Sequence, residues 1–167
     1  MLNAHRWMVL LATFAGGTFA AGSHFEVAPE IRDEAKFFSA AAVKKADERI
    51  REIYRKHNRD VLIETFATVP AADADKVKAM DTDKSSAYFT QWAKDRSKDR
   101  VVNGLYVMIC KEPRHLLVGI VENMPRKFTP EIRNAVEAAF RGEFKEERYD
   151  EGLDHAIRAI EEKFGKK

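Results

Sequence analysis

The chain has 167 residues, 45% hydrophobic and 34% charged, with a formal net charge of +2 at pH 7, a length that suits one domain with its own core. Because the 29 basic residues are scattered among 27 acidic ones, no basic stripe marks a nucleic-acid surface, and we expect no nucleic-acid partner. The only cysteine, Cys110, excludes an intramolecular disulfide, and its apolar neighbours predict a buried thiol.

The N-terminal segment has the pattern of a signal peptide. Arg6 precedes an apolar run, 7–21, that ends in small residues suited to cleavage. We therefore predict a signal peptide over 1–22 and a single domain over 23–167, exported to the periplasm or outside the cell. An uncleaved anchor is the alternative, although a membrane-spanning helix needs about 20 apolar residues. No second stretch approaches that length, so we expect no stable membrane span in the mature chain.

Three elements are predicted in the first half of the mature chain. Apolar residues recur at helical spacing over 38–57, and Ser39 suits the N-cap of this first helix. The β-branched run 61–69 predicts a strand that ends before a proline. A polar stretch, 71–80, predicts a loop, with one helical turn as the alternative, and 85–98 predicts a second helix with one apolar side.

The segment 101–123 is the strongest fold signal in the sequence. Its two apolar runs are joined by a short turn that contains a proline, and neither run alternates polar and apolar residues. Such strands are typical of a sheet that helices cover on both faces. A turn centred on Glu112 and Pro113 places Cys110 opposite His115 in an antiparallel hairpin.

Two helices complete the predicted order. Thr129 suits an N-cap, Pro130 the first helical position and Gly142 the end of a third helix. The last helix is predicted over 149–164. The second helix joins two parallel strands as a βαβ unit, and the hairpin adds an antiparallel strand. The fold class is therefore α/β: a three-layer α/β/α sandwich around a small mixed sheet.

The hairpin register brings two polar loops together at one end of the sheet. It places Asn103 opposite Glu122, with Asn123 beside it and Asp99 on the flank. Their carboxylate and amide oxygens suit a hard cation such as calcium. A polar sheet edge without a metal is the alternative. We favour this alternative, because Glu122 is the single carboxylate in the two loops.

Two basic residues, Arg126 and Lys127, precede the predicted cap at Thr129. A helix N-terminus with adjacent basic residues can hold an anion, but a cap without a ligand explains the same residues. The sequence has no nucleophile elbow, glycine-rich phosphate loop, HExxH or CxxC. It therefore assigns no catalytic residue.

Three segments resemble the TPM domain family, which occurs in bacterial envelope proteins, thylakoid-lumen proteins of photosystem repair and a nematode receptor modulator. They are the opening IRDEAKFFS, the hairpin GLYVMICKEPRHLLVGIVEN and the ending RGEFKEERYDEGLDHAIRAI. The resemblance extends over residues 27–164 of the chain. It implies an α/β/α sandwich, in agreement with the predicted elements.

The resemblance implies no single activity. Some family members are linked to acid phosphatase activity, some bind divalent cations, and others act as assembly or maintenance factors for membrane complexes. Many have two acidic residues before the strand-opening glycine, where this chain has Val102 and Asn103 before Gly104. Many also have a Gly-Tyr-Gly-Leu-Glu type loop after the next strand, where this chain has GIVEN over 119–123. Both departures fall where oxygen ligands or phosphate contacts are expected.

We therefore expect a non-catalytic accessory module of the cell envelope that binds an envelope protein or a membrane complex. The alternative is a divalent-cation-dependent acid phosphatase acting on small phosphate esters, with calcium or magnesium as its cofactor. For the accessory module the sequence indicates no definite cofactor, and calcium or magnesium is the candidate.

Overall fold

The computed structural model describes residues 30–121 and 128–165. The predicted signal segment, 1–22, and the predicted site residues Glu122, Asn123, Arg126 and Lys127 lie outside the described residues. The elements are, in chain order, β1 (Ile31–Asp33), α1 (Ala40–His57), β2 (Asp60–Thr68), a 3-10 turn (Ala71–Asp73), α2 (Ala74–Lys78), α3 (Thr82–Asp99), β3 (Gly104–Glu112), β4 (His115–Val121), α4 (Pro130–Phe144) and α5 (Tyr149–Gly165).

Side-chain caps fix where three of the helices begin. The hydroxyls of Ser39 and Thr129 accept hydrogen bonds from the first turns of α1 and α4, as the sequence predicts. The Asp81 carboxylate does the same for α3, so this helix begins before the predicted residue 85. The prediction that Gly142 ends α4 is wrong, since the helix continues to Phe144. An interior glycine costs about 1 kcal/mol relative to alanine, and the aromatic contacts of Phe144 offset this cost.

The described strands form one mixed sheet in the order β1-β2-β3-β4. β1, β2 and β3 are parallel, and β4 returns antiparallel to β3 with Cys110 opposite His115, which confirms the predicted hairpin register. β1 was not predicted, because three residues are too few to show a strand pattern. Each of the two connections between parallel strands, β1 to β2 and β2 to β3, leads to the adjacent strand, and both lead in the same direction across the sheet. Because α1 lies on one face and α3 on the other, these two crossovers have opposite hands.

Helices cover both faces of the sheet, which confirms the three-layer sandwich. Successive residues of β3 point to opposite faces. Leu105 and Val107 pack with α1, α4 and α5 on one face, whereas Tyr106 and Met108 pack with Phe89 of α3 on the other. Because both faces are buried, β3 reads as a continuous apolar run rather than an alternating one.

The parallel strands give the sheet two distinct ends. At the carboxyl end, β1, β2 and β3 finish at the same edge of the sheet as the hairpin turn formed by Pro113 and Arg114. At the amino end, β2 and β3 begin at Asp60 and Gly104, and Gly104 pairs with Val121 of β4. In α/β folds, ligands bind most often at the carboxyl end.

Candidate binding site

A pocket of about 250 Å³ opens at the carboxyl end of the sheet. It lies between the end of the β3–β4 hairpin, the last turns of α4, the start of α5 and the loop that leads into α1. Its walls are largely apolar and are formed by Phe37, Ile109, Leu116, Phe140, Phe144 and Tyr149.

Hydrogen bonds of the β1–α1 loop hold Phe37 in this wall. The Asp33 carboxylate accepts from the backbone N–H groups of Phe37 at 3.0 Å and Phe38 at 2.8 Å. The Thr65 hydroxyl donates to the same carboxylate at 2.6 Å. The Phe37 ring contacts that of Tyr149 with centroids 4.9 Å apart, within the range of a favourable aromatic pair. Asp33 is therefore a structural acid that positions the pocket wall.

Four basic side chains surround the apolar walls: Lys111 and Arg114 from the hairpin, and Arg141 and Lys145 from the end of α4. Arg141 forms an ion pair with Glu137 at 2.8 Å. Within residues 30–121 and 128–165, Lys111, Arg114 and Lys145 have no ion-pair partner. No described Asp or Glu lines the pocket, so its rim carries an excess of positive charge.

Part of this charge has an ordinary structural explanation. Arg141 and Lys145 lie at the C-terminal end of α4, where cations interact favourably with the last backbone carbonyls and with the helix dipole. The hairpin cations Lys111 and Arg114 do not have this explanation. Both are exposed, and a solvated position stabilises them without requiring a ligand. Both nevertheless line the pocket, where they could contact a negatively charged ligand.

Two titratable groups next to the pocket are uncharged at neutral pH. His115 stacks on the Phe89 ring with centroids 4.0 Å apart. Burial, and then the nearby charge of Arg141, lower the pKa of its imidazole. Burial raises the pKa of the Cys110 thiol to about 11, so the thiol stays protonated and is a poor nucleophile. The buried thiol that the sequence predicts is confirmed.

The buried acid Glu64 lies in β2 on the side of the sheet that packs against α3. Arg96 donates to its carboxylate from Nε at 3.0 Å, and the Tyr106 hydroxyl donates at 2.7 Å. Arg100 approaches the same carboxylate at 3.4 Å. Burial alone would raise the pKa of this carboxyl, but the hydrogen bonds from Arg96 and Tyr106 outweigh burial and lower it. An ionised carboxylate with these partners is a structural counter-ion rather than a general acid.

The predicted metal residues that the structure describes lie at the amino end of the sheet. The Asn103 N–H donates to the Asp60 carboxylate at 2.6 Å, and the Asp60 N–H donates back to the Asn103 carbonyl at 3.1 Å. A Cβ added to Gly104 would lie 2.0 Å from the Asp60 carbonyl oxygen, so only glycine fits where the two strands begin. Asp99 is the last residue of α3 and is exposed.

Asp60 is an acid at this end that sequence reasoning missed, because it is 43 residues from Asn103 in the chain. Only the parallel pairing of β2 with β3 brings the two together. Among the described residues, no group of three or more His, Cys, Asp and Glu side chains is placed to hold a metal. Glu122, Asn123 and the predicted anion-binding pair lie outside the described residues, so their roles stay predictions.

The pocket at the carboxyl end was also missed, since its residues come from separate segments of the chain. The signal that could have pointed to it is local. The turn sequence KEPRH places Lys111 and Arg114 on an exposed hairpin end, at the edge of the sheet where α/β folds usually bind ligands.

Comparison with known proteins gives one family match. A family model described as TPM domain matches residues 31–163, which extends from β1 into α5. None of the curated proteins matches the chain. No described helix is long and apolar enough to cross a membrane.

Solved structures share the fold. The N-terminal domain of a protein from P. gingivalis has a TM-score of 0.60 at 16% identity, covering 80% of this chain and 80% of that one. The N-terminal domain of the cg2496 protein from Corynebacterium glutamicum has a TM-score of 0.56 at 9% identity, covering 84% of this chain and 82% of that one. At such low identity, the likeness shows the fold alone.

Proposed function

Because this chain belongs to the TPM domain family over residues 31–163, we propose that it is a non-catalytic accessory module that binds a protein partner at the cell envelope. The signal-peptide pattern over 1–22 supports export. The pocket at the carboxyl end supports binding without chemistry. Its walls are apolar, its rim is basic, and no described acid lines it.

The observation that carries this proposal is that three groups with reactive side chains are engaged in structural contacts or kept protonated. Asp33 anchors the β1–α1 loop, Glu64 is paired with arginine, and Cys110 is protonated. General acid–base or nucleophilic catalysis needs a group that is free to exchange a proton or to attack a substrate. These described groups are held in structural contacts instead.

The second candidate is a divalent-cation-dependent acid phosphatase that acts on small phosphate esters. Asp60 favours it, because this carboxylate lies beside Asn103 and would join Glu122 in the predicted cation site. Two carboxylates with amide oxygens come closer to the ligand set of calcium or magnesium than Glu122 alone. We rank this candidate second, because the Asp60 carboxylate already accepts the Asn103 N–H.

A phosphatase assay separates the two candidates. The mature chain is incubated with p-nitrophenyl phosphate at mildly acidic pH, with calcium, with magnesium and with a chelator. We expect no turnover above that of a heat-unfolded sample. Cation-dependent turnover that is lost in both Asp60→Asn and Glu122→Ala, but kept in the control Asp75→Asn on α2, would establish the phosphatase instead.

Partner binding is tested with the immobilised mature chain and the detergent-solubilised envelope proteins of the organism in which the chain naturally occurs. We expect a discrete protein that the folded chain retains and that excess free chain displaces. A column of an unrelated exported domain should not retain this protein. If no envelope protein is retained in a displaceable way, the accessory-module proposal is wrong.

A further inference from the structure

We propose that the pocket at the carboxyl end binds an acidic segment of the partner protein, which inserts one apolar side chain between the aromatic walls. This inference rests on the proposed function, because it names the chemistry of the partner that the module holds. The apolar walls contact the inserted side chain, and the basic rim binds the carboxylates that flank it in the segment.

The size of the pocket favours a single side chain. Its volume is about 250 Å³, below the roughly 300–1,000 Å³ of typical small-molecule sites. Leu116 of β4 lies in the same wall as two aromatic rings, Phe144 and Tyr149, whose centroids are 4.9 Å apart in an edge-to-face arrangement. An aliphatic or aromatic side chain placed here exchanges water for close apolar contacts.

The rim supplies charge complementarity to carboxylates. Lys111 and Arg114 are exposed on the hairpin, Lys145 is exposed at the end of α4, and none of them has an ion-pair partner in the described structure. Arg141 adds a further cation, and its charge contributes to the lowered pKa of His115. The rim therefore attracts acidic segments from solution and offers N–H donors to their carboxylates.

Two other hollows of the described surface lack this combination. The groove between α1 and α5 contains Lys45 and Arg49, but both pair with Asp154 at 2.8 Å. On the other side of the hairpin, a wider hollow of about 630 Å³ mixes basic residues with the acids Asp81 and Glu112. Of these three hollows, only the pocket joins apolar walls to basic side chains with no Asp or Glu in its lining.

The test measures the binding of fluorescently labelled hexapeptides to the mature chain by anisotropy. One array has glutamate and aspartate around a single leucine, phenylalanine or tryptophan. A second array has serine in place of the apolar residue, and a third has lysine in place of the acids. We expect saturable binding to the first array, with dissociation constants below about 1 mM and a loss of about tenfold or more on the change to serine.

Substitutions of the basic rim residues test whether the peptide binds in the pocket. The combination of Lys111→Glu and Arg114→Glu should weaken the best peptide about tenfold or more, because it replaces two attractive charges with two repulsive ones. The matched control combines Lys44→Glu on α1 with Lys94→Glu on α3, both exposed. It changes the net charge equally and should leave the affinity within about twofold, because solvent and salt screen distant charges. Circular dichroism verifies that each variant is folded.

Several outcomes would overturn the inference. They are equal weakening in the control, equal binding of the lysine peptides, and no saturable binding of any acidic peptide. Binding of phosphatidylglycerol vesicles instead of peptides, lost in the rim variant, would assign the rim to a lipid surface and overturn it as well. If an envelope protein is retained while the peptides fail, the proposed function stands and this inference alone is wrong. If no envelope protein is retained in a displaceable way, the proposed function itself is wrong.

Discussion

At the amino end of the sheet, β2 and β3 begin so close together that a Cβ on Gly104 would lie 2.0 Å from a backbone oxygen. At the carboxyl end, the hairpin and α4 leave a pocket of about 250 Å³ with an excess of cations. The amino end has the polar residues that the sequence marks as candidate ligands, but Asp60 and Asn103 use hydrogen bonds to join the strands. Polar residues that lie opposite each other in a sheet therefore need not form a binding site, whereas an open pocket with unpaired charges favours one.

At the amino end, Gly104→Ala should destabilise the protein most. The added Cβ cannot fit 2.0 Å from the Asp60 carbonyl oxygen, so the strands must move apart, and we expect a loss of about 3 kcal/mol in the free energy of unfolding. Urea denaturation measures it. Gly119→Ala is the matched control, because its Cβ would lie 3.7 Å from the Leu117 Cδ2. Equal losses in the two variants would show that the close approach at the amino end is not special.

A smaller loss is expected from Asp60→Ala. The Asp60 carboxylate accepts the Asn103 N–H at 2.6 Å, and a hydrogen bond to a charged group contributes about 1.5 kcal/mol at a partly exposed site. Asp60→Asn keeps an acceptor at this position and should lose less in the same urea titration. If Asp60→Ala is as stable to urea as the unsubstituted chain, the carboxylate does not hold the strands together.

The connection that enters the amino end contains a strained residue, so Val101→Gly should stabilise the protein. Hydrogen bonds from Val102 to Ser97 and from Val101 to Lys98 form a Schellman motif at the end of α3, with Val101 at φ 52° and 83% exposed. Glycine is preferred there, and a left-handed β-branched residue costs about 1–2 kcal/mol. We expect a gain of about 1 kcal/mol after the entropy cost of glycine.

Thermal or urea unfolding measures this gain. Val101→Ala is the control, since it shortens the side chain but keeps the Cβ, and it should gain less than glycine. A stability that falls in Val101→Gly would contradict the strain.

The smallest effect is a pH dependence at the carboxyl end. Burial and Arg141 lower the pKa of His115 in the folded state, whereas the unfolded value is about 6.5. The unfolded chain therefore binds this proton more readily. The contribution of His115 to stability is complete above the unfolded pKa and is lost as the pH falls from about 6.5 towards the folded pKa.

His115→Gln should flatten the dependence of urea midpoints on pH just below about pH 6.5. Arg141→Gln removes the second cause of the lowered pKa and should reduce the slope only in part. An unchanged slope in His115→Gln would mean that other groups dominate this pH range.

Much of the fold could be predicted from local signals. Ser39, Thr129 and Pro130 marked the starts of α1 and α4 correctly, because capping involves residues only a few positions apart. The hairpin register followed from the turn. β1 was missed because its three residues are stabilised by pairing with β2, and Gly142 was misread because tertiary packing carries α4 past it.

Hydrophobic periodicity and turn chemistry act over short stretches of chain, so the layered α/β/α fold class and the pairing of Cys110 with His115 could be inferred from the sequence. Which polar groups are available to a ligand depends on the packing of distant segments. This packing placed Asp60 against Asn103, and it joined the hairpin cations to Phe37 and Tyr149 around one pocket. These contacts join residues far apart in the chain, so no local pattern encodes them, and they arise only when the helices pack on the sheet.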